Sequence, residues 1–308
     1  MVSNEQDVGA DFLIRELQTR GSHVVRLNSE RSAEWELNLE PGLRWQCRMR
    51  RRAITSDDCV GVWWRRPEVP KVAAALGPAA EAVADQWRAF LAALASVPGP
   101  IWVSDPADIR RAEGKALQLS RAREIGFDVP ETSFSNDVKH IHELLMRWPA
   151  PAVAKSIASA WWEVGDEGRF VFASPLTVSD LPEASRFAAA PVCVQQAILP
   201  KRDVRVTVVG SAVFAAVRGD RDSAEGEALD WRLEPQREWM PYELPSSVEA
   251  CCARLVRAFG LRFGGIDLAV DEEERHWFLE LNPNGEWGWL QRAGLPIAEA
   301  LADVFTET

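Results

Sequence analysis

The chain has 308 residues, enough for one large domain or two to three small ones, and its 47% apolar and 26% charged residues allow a sizeable core. With 35 basic against 46 acidic residues the formal charge is −11, which argues against a general nucleic-acid or membrane-surface binder, since both want a basic face. No apolar run reaches the length of a membrane span, and "MVSNEQDVGADF" lacks the basic-then-apolar pattern of a signal peptide.

Residues 11–20, "DFLIRELQTR", place Phe12, Leu13 and Leu17 at helical spacing and stop at Gly21, a good residue just past a helix end. "HVVRLN" then reads as a strand. The start is strand-helix-strand with residues 1–3 as the remnant of the first strand, through either a short sheet edge or a late start codon. Residues 35–64 alternate as hairpin strands ending in "VGVWWRRP", where Pro67 stops the last one. Residues 72–96 are Ala-rich, with Trp87, Phe90, Leu91 and Leu94 at helical spacing. "VPGP" breaks that helix and "IWVSDP" is a further short strand and turn. A domain boundary falls near residue 107.

"DIRRAEGKALQLSRAREIGFDVPET" reads as a helix ended by Gly126, and residues 137–148 as another. "PAVAKSI" is a strand, "ASAWWEVGDEGR" a polar turn region, and "FVFA" a strand again. "VCVQQAILPKRDVRVTVVGSAVFAAVRG" reads as three short strands. Val204, Val206 and Val208 share one face, and Arg205 and Thr207 take the other. Gly210 and Ser211 make a hairpin turn. "SSVEACCARLVRAFG" is a helix closed by Gly260, and "FGGIDLAVDEEERHWFLELN" a hairpin around an acidic turn. Cys47, Cys59, Cys193, Cys251 and Cys252 have no paired spacing and read as the reduced thiols of a cytoplasmic protein. The excess of 14 Trp over one Tyr fits core packing, with a tryptophan-lined peptide groove as the alternative.

The chemistry gathers in that last hairpin. Glu280 and Asn282 are two residues apart and share a face, and closing the hairpin brings Asp267 toward them. Two carboxylates and an amide oxygen are hard donors of the kind magnesium takes alongside nucleotide phosphates. The alternative is a surface Asp267 and a salt-bridged Glu280. An acid inside the apolar "FLELN" is costly if buried without a partner. Lys155 puts an amine in an apolar strand. Lys115 lies at a helix start, where the dipole disfavours a cation but welcomes an anionic ligand. Arg205, Arg218 and Arg232 carry forks suited to phosphate or carboxylate. Each of these residues alone also reads as an ordinary surface cation.

The order "GK…L", "VAKS", "VQQAI…DVR", "GGIDL", "FLELNPNG", across residues 107–293, resembles the ATP-grasp ligase superfamily. Within it, "VWWRRP", "LPKRDVRVTVVGSAVFAA", "DWR" and "ELNPNGEWGWLQ" look like the graspetide (microviridin-type) synthetases, maturases of ribosomally made peptides. The resemblance implies an α/β (α+β) chain with the ATP-grasp fold. An N-terminal α/β domain (1–107) would precede a small central domain (108–194) and a C-terminal antiparallel-sheet domain (195–308), with ATP between the last two. Lys115 and Lys155 would meet the phosphates. The backbone around Gln196, Ala197 and Ile198 would pair with adenine, with the Gln195 and Gln196 side chains nearby. Loop 156–168 would cover the phosphates, although Trp161 and Trp162 depart from the usual small, Gly-rich pattern. Asp267, Glu280 and Asn282 would hold one or two Mg2+ ions.

Arg205, Arg218 and Arg232 would hold an acyl phosphate and the substrate carboxylate. Asp203 and Asp230 would orient those arginines or take a proton, the alternative being plain strand ion pairs. Trp287 and Trp289, after the Asn284 and Gly285 turn, read as packing, or else as a wall for the substrate. The partner implied is a precursor peptide of leader and core, with "VWWRRP" and the Trp87 helix as surfaces for the leader. Neither nucleic acid nor membrane is expected, and superfamily analogy suggests a homodimer. The implied activity is ATP-dependent macrocyclisation joining Glu or Asp side chains to Ser or Thr hydroxyls or Lys amines. The alternatives are an ATP-grasp ligase adding free amino acids and an inactive peptide-binding scaffold.

Overall fold

The computed structural model describes residues 1–49, 52–70, 76–148, 151–158, 161–164, 167–170, 172–219, 229 and 238–306, with backbone alone for the stretch from 161 to 170. The first strand is as short as the sequence suggests. β1 (Val2–Ser3) pairs in parallel with β2 (Leu27–Asn28), to which "HVVRLN" contributes only its last two residues. Between them runs α1 (Val8–Thr19), begun where Asp7 Oδ1 accepts from the Ala10 N–H at 3.2 Å and followed by Gly21 at φ 81°, a left-handed conformation that glycine adopts without cost. β3 (Glu36–Glu40), β4 (Arg44–Met49) and β5 (Arg52–Thr55) form the expected antiparallel meander. β6 (Gly61–Trp63) does not join it. After α2 (Ala79–Leu94) the chain returns as β7 (Ile101–Val103), parallel to β6, and a bridge from Val2 to Trp64 ties this pair to β1. Val62, Trp63 and Trp64 are buried one after another, the pattern of a parallel strand covered on both faces, rather than of an alternating hairpin strand.

The stretch read as one helix up to Gly126 is two, α3 (Pro106–Ala112) and α4 (Lys115–Ile125), broken at Gly114. The break leaves the Ala112 carbonyl without a helical donor, and the Gln118 side-chain amide supplies one at 2.6 Å. β8 (Thr132–Ser135), α5 (Val138–Arg147) and β9 (Ala152–Lys155) follow. The expected turn region is a separate hairpin of β10 (Trp161–Val164) and β11 (Glu167–Phe170), which takes in the first residue of "FVFA". β12 (Ser174–Leu176), α6 (Ala184–Phe187) and β13 (Val192–Gln196) complete an antiparallel sheet of order β12-β9-β13-β8. Its core is Ile141, Leu144, Trp148, Ala152, Phe187 and Val194.

β14 (Arg202–Val209), β15 (Ala212–Arg218), β16 (Trp239–Pro241), β17 (Phe263–Val270) and β18 (His276–Asn282) build a wholly antiparallel sheet ordered β16-β15-β14-β17-β18, with α7 (Ser246–Ala258) before β17. The alternation predicted for β14 holds. Val204, Val206 and Val208 join Ile266, Leu268, Phe278 and Leu281 in a core with Cys252, Leu255 and Val256 of α7. A β-bulge between Asp267 and Leu268 sets the phase of β18: Asp267 lies opposite Glu280, and Leu268 opposite Phe278. Residues 278 and 280 would share a face in a regular strand. The bulge sends Phe278 into the core, 0% exposed, and leaves Glu280 on the polar face. That is how an acid occupies "FLELN" without being buried there. α8 (Gly288–Arg292) and α9 (Ile297–Thr306) close the chain in a second core with Leu13, Trp63, Phe263 and Trp287. Among the described residues, no helix is long and apolar enough to cross a membrane.

Candidate active site

Arg205, Asp267 and Glu280 stand opposite one another across β14, β17 and β18, so their side chains form a row on the polar face. Arg205 Nη1 lies 2.6 Å from Asp267 Oδ1, and Asn282 Nδ2 donates to Asp267 Oδ2 at 3.0 Å. Lys115 Nζ lies 3.2 Å from Glu280 Oε2. The structure thus brings Lys115, Arg205 and all three expected metal-site residues together. Arg205 is only 5% exposed, and a buried cation costs several kcal/mol (order of magnitude) unless paired. Asp267 and the Glu286 carbonyl, 3.2 Å from Nη2, provide that pairing. Two glycines make room for the guanidinium: a Cβ on Gly265 would stand 2.9 Å, and one on Gly285 2.7 Å, from Arg205 Nη2.

The donor set fits magnesium. The Asp267 and Glu280 side chains are 23% and 34% exposed, so neither carboxylate is sealed from solvent. Turning the Asn282 amide over presents its oxygen in place of its nitrogen. Among the described residues no group of three or more His, Cys, Asp and Glu gathers around one point. Two carboxylates and an amide suit an ion that fills its octahedron with water and phosphate rather than one held in an all-protein cage.

Lys115 reaches Glu280 because α4 is fastened to β18. That strand is the sheet edge, and the Gln118 side chain, 2% exposed, donates to the Leu281 carbonyl at 2.7 Å and accepts its N–H at 3.0 Å. The Phe278 N–H donates to the Asp128 carbonyl at 2.8 Å. The side-chain amide completes the edge ladder where another strand would otherwise be needed. Gln118 lies one helical turn beyond Lys115, so this clasp sets where the lysine stands.

The second group sits on the smaller sheet. Lys155 Nζ donates to Gln195 Oε1 at 2.6 Å, and Gln195 Nε2 donates to Thr132 Oγ1 at 2.9 Å. Burial pushes the Lys155 ammonium below its ordinary value, while the Glu280 carboxylate opposes the shift and Lys115 and Lys201 add to it. The Gln196 and Ala197 N–H groups are already engaged, donating to the Glu131 carbonyl at 2.9 Å and the Pro151 carbonyl at 2.8 Å. Ala197 is buried and Ile198 half-buried.

Asp203 shares the face of Arg205 and is ion-paired with Lys201, both nearly buried; burial raises its carboxyl above the ordinary range and Lys201 pulls it back. Arg218, 1% exposed, lies on the same face of β15. Asp230 and Arg232 lie outside the described residues. Sequence reasoning missed Lys201, Gln118 and the pair Arg65 and Arg66. "LPKRD" carried a hint of the first, a charged pair in a strand, while nothing local marked Gln118. The tryptophans of "VWWRRP" are packing: Trp63 is 1% and Trp64 8% exposed, which removes them as a docking surface. Trp287 is fully buried against Trp63 and Phe12, whereas Trp289 packs on Trp239 with ring centroids 4.6 Å apart and the planes tilted by 41°. All five cysteines are free thiols.

No protein-family model and no curated protein matches the chain. Solved structures do. The macrocyclase MdnC of Microcystis aeruginosa, bound with precursor peptide MdnA, is 25% identical with a TM-score of 0.88, over 100% of this chain and 98% of that one. A RiPP-associated ATP-grasp ligase of Chryseobacterium gregarium, in complex with ADP and a leader and core peptide, is 24% identical with a TM-score of 0.87, over 99% and 95%. D-alanyl-alanine synthetase A of Vibrio cholerae shares the fold more distantly, at 12% identity and a TM-score of 0.59, over 100% and 96%. The chain has the ATP-grasp fold, and the structures of peptide macrocyclases that its motifs resemble match it over 100% of this chain and 98% of theirs.

Proposed function

We propose that this protein is an ADP-forming ATP-grasp ligase that closes side-chain rings in a ribosomally made precursor peptide. The observation that carries the reading is the in-register row Arg205, Asp267, Glu280 with Lys115 at its end, in a chain similar over its whole length to a macrocyclase bound with its precursor. ATP lies between the central unit (108–194) and the C-terminal unit (195–308). Lys155, held by Gln195, and Lys115, held over Glu280, offer cations to its phosphates. Adenine is read by the remaining backbone groups of residues 196–198, since two of the three N–H groups serve the sheet. Magnesium, when bound by Asp267, Glu280 and Asn282, supplies charge neutralisation on the phosphates.

A substrate Glu or Asp carboxylate oxygen bonds to the γ-phosphorus, and ADP leaves with the electrons of the broken P–O bond. A Ser or Thr hydroxyl, or a Lys amine, then attacks the acyl carbon, and phosphate leaves as the nucleophile gives up its proton. Arg205 and Arg218 stabilise the charge on the transferring group and the acyl phosphate, as fixed cations do in a partly dry site. Asp203, its carboxyl raised by burial, holds Lys201 beside them. The free thiols fit a reducing, cytoplasmic setting.

Intact-mass spectrometry of a candidate precursor with enzyme, ATP and magnesium tests the reading. Loss of the mass of one water per ring is expected, and none with the double variant Asp267→Ala/Glu280→Ala. A gain equal to an amino-acid residue would instead make it an amino-acid ligase. ADP release without either change would refute ring closure.

A further inference from the structure

Arg65 is a fully buried cation in a part of the chain remote from the carboxylate row. Its Nε is 3.0 Å from Asp7 Oδ2, its Nη1 donates to the carbonyls of Asn284 and Gly285 at 2.8 Å each, and its Nη2 lies 3.2 Å from Glu286 Oε2. Arg66 donates from Nε to the Asn284 carbonyl at 2.9 Å and is ion-paired with Glu286. Arg205 donates to the next carbonyl, that of Glu286. Three successive carbonyls are therefore held by three arginines. The turn they hold begins at Asn282, whose carbonyl accepts the Gly285 N–H at 3.0 Å.

The arrangement is built and costly. Asp7 is itself 3% exposed, caps α1 and accepts from Ser3 Oγ at 2.7 Å. The Arg65 guanidinium lies against Trp63 and Phe263, 5.3 Å and 5.8 Å from the ring centroids. Arg66 sits at φ 47°, a left-handed conformation costing a non-glycine residue about 1 kcal/mol or more. Simple packing would place an apolar side chain at 65, because a buried ion pair is rarely more stabilising than hydrophobic residues of its size. Only a forked cation spans two consecutive carbonyls and two carboxylates at once.

We propose that Arg65 and Arg66 are positioning residues for the catalytic face. They fix the 282–286 turn, and through it the Asn282 amide and the Arg205 guanidinium, without touching substrate. The magnesium part of the inference rests on the function proposed above; the turn itself does not. Two variants test it. Arg65→Lys keeps the buried charge but loses the fork. Arg66→Asn removes a guanidinium whose side chain is 42% exposed and installs a residue that tolerates left-handed backbone, so the fold is retained.

Three readouts are taken on the full chain. Hydrogen exchange of the Gly285 amide should accelerate about tenfold or more, the equivalent of losing one charge-assisted bond. ADP affinity by calorimetry should keep its wild-type value in EDTA, and the tightening produced by magnesium should shrink about tenfold. The magnesium concentration at half-maximal ring formation should rise with it. Unchanged Gly285 exchange in both variants would overturn the proposal. So would an equal loss of ADP affinity with and without magnesium, the mark of a merely structural role. A wild-type protein that binds ADP with magnesium but forms no ring would sink the ring-closing function and leave the clamp to be judged by exchange and calorimetry.

Discussion

Gly265→Ala places one methyl group against the Arg205 guanidinium. The added Cβ would stand 2.9 Å from Nη2, 3.0 Å from Cζ and 3.2 Å from Nε, closer than van der Waals contact, with Arg205 itself held at 2.6 Å from Asp267. Gly265 lies within an extended strand, so alanine suits the backbone and recovers about 0.4–1 kcal/mol of unfolded-chain entropy. Displacing the guanidinium weakens a charge-assisted bond worth about 1.5–3 kcal/mol. The net destabilisation is about 1–2 kcal/mol, readable as a modest shift of the urea midpoint at constant slope. The effect on rate is larger. A fixed charge moved off the site of developing phosphate charge costs about a hundredfold in kcat. Gly264→Ala is the control on the opposite face, where a Cβ would meet Leu281 Cδ1 at 2.9 Å and Val256 Cγ2 at 3.2 Å in the apolar core. It should lose stability but keep its rate per folded molecule in a single-turnover ring-forming assay. Wild-type kcat in a folded Gly265→Ala protein would refute the role given to Arg205.

Other consequences follow from the same geometry. Asp267→Asn and Glu280→Gln should each lower ring formation by about a thousandfold, the range for a lost charge partner of transferring phosphate, and chelation of magnesium should do the same to the wild type in a mass-spectrometric time course. Lys155 has a folded-state value below its unfolded one, so between the two the unfolded chain holds more protons and stability rises with pH. Each tenfold change in its proton affinity is worth about 1.4 kcal/mol. Lys155→Met should therefore be more stable than the wild type at pH 7, lose that advantage as pH climbs toward the ordinary lysine range, and bind ATP poorly. Denaturant melts across pH would show it, and parallel wild-type and variant profiles would contradict it. Trp287→Ala empties a fully buried site and should cost about 3–5 kcal/mol in the same melts.

Much of the site was legible because it is written in short-range periodicity. The two-residue spacing of Glu280 and Asn282, the alternation through Val204 and Val208, and the glycine ends of helices follow from backbone geometry that repeats every two or 3.6 residues. The misreadings lie where a distant partner decides. Gly114 breaks a helix that composition alone would continue, and Gln118, whose side chain supplies the missing donor to Ala112, is itself held by the Leu281 backbone 163 residues away. "VGVWW" leaves the meander because β1 and β7 offer it a parallel place.

By itself the sequence determined the alternating strands of the large sheet, the hairpin that joins Asp267 to Glu280, and the kinds of donor gathered there. Those features depend on local pattern and on residue chemistry. Only the tertiary structure decided the bulge that turns Phe278 inward and Glu280 outward, the Gln118 clasp that sets Lys115 over the acid, and the grip of Arg65 on a turn 220 residues away. The physical reason is that a buried polar group takes whichever partner the packed chain brings within about 3 Å, and no spacing along the sequence specifies which one that will be.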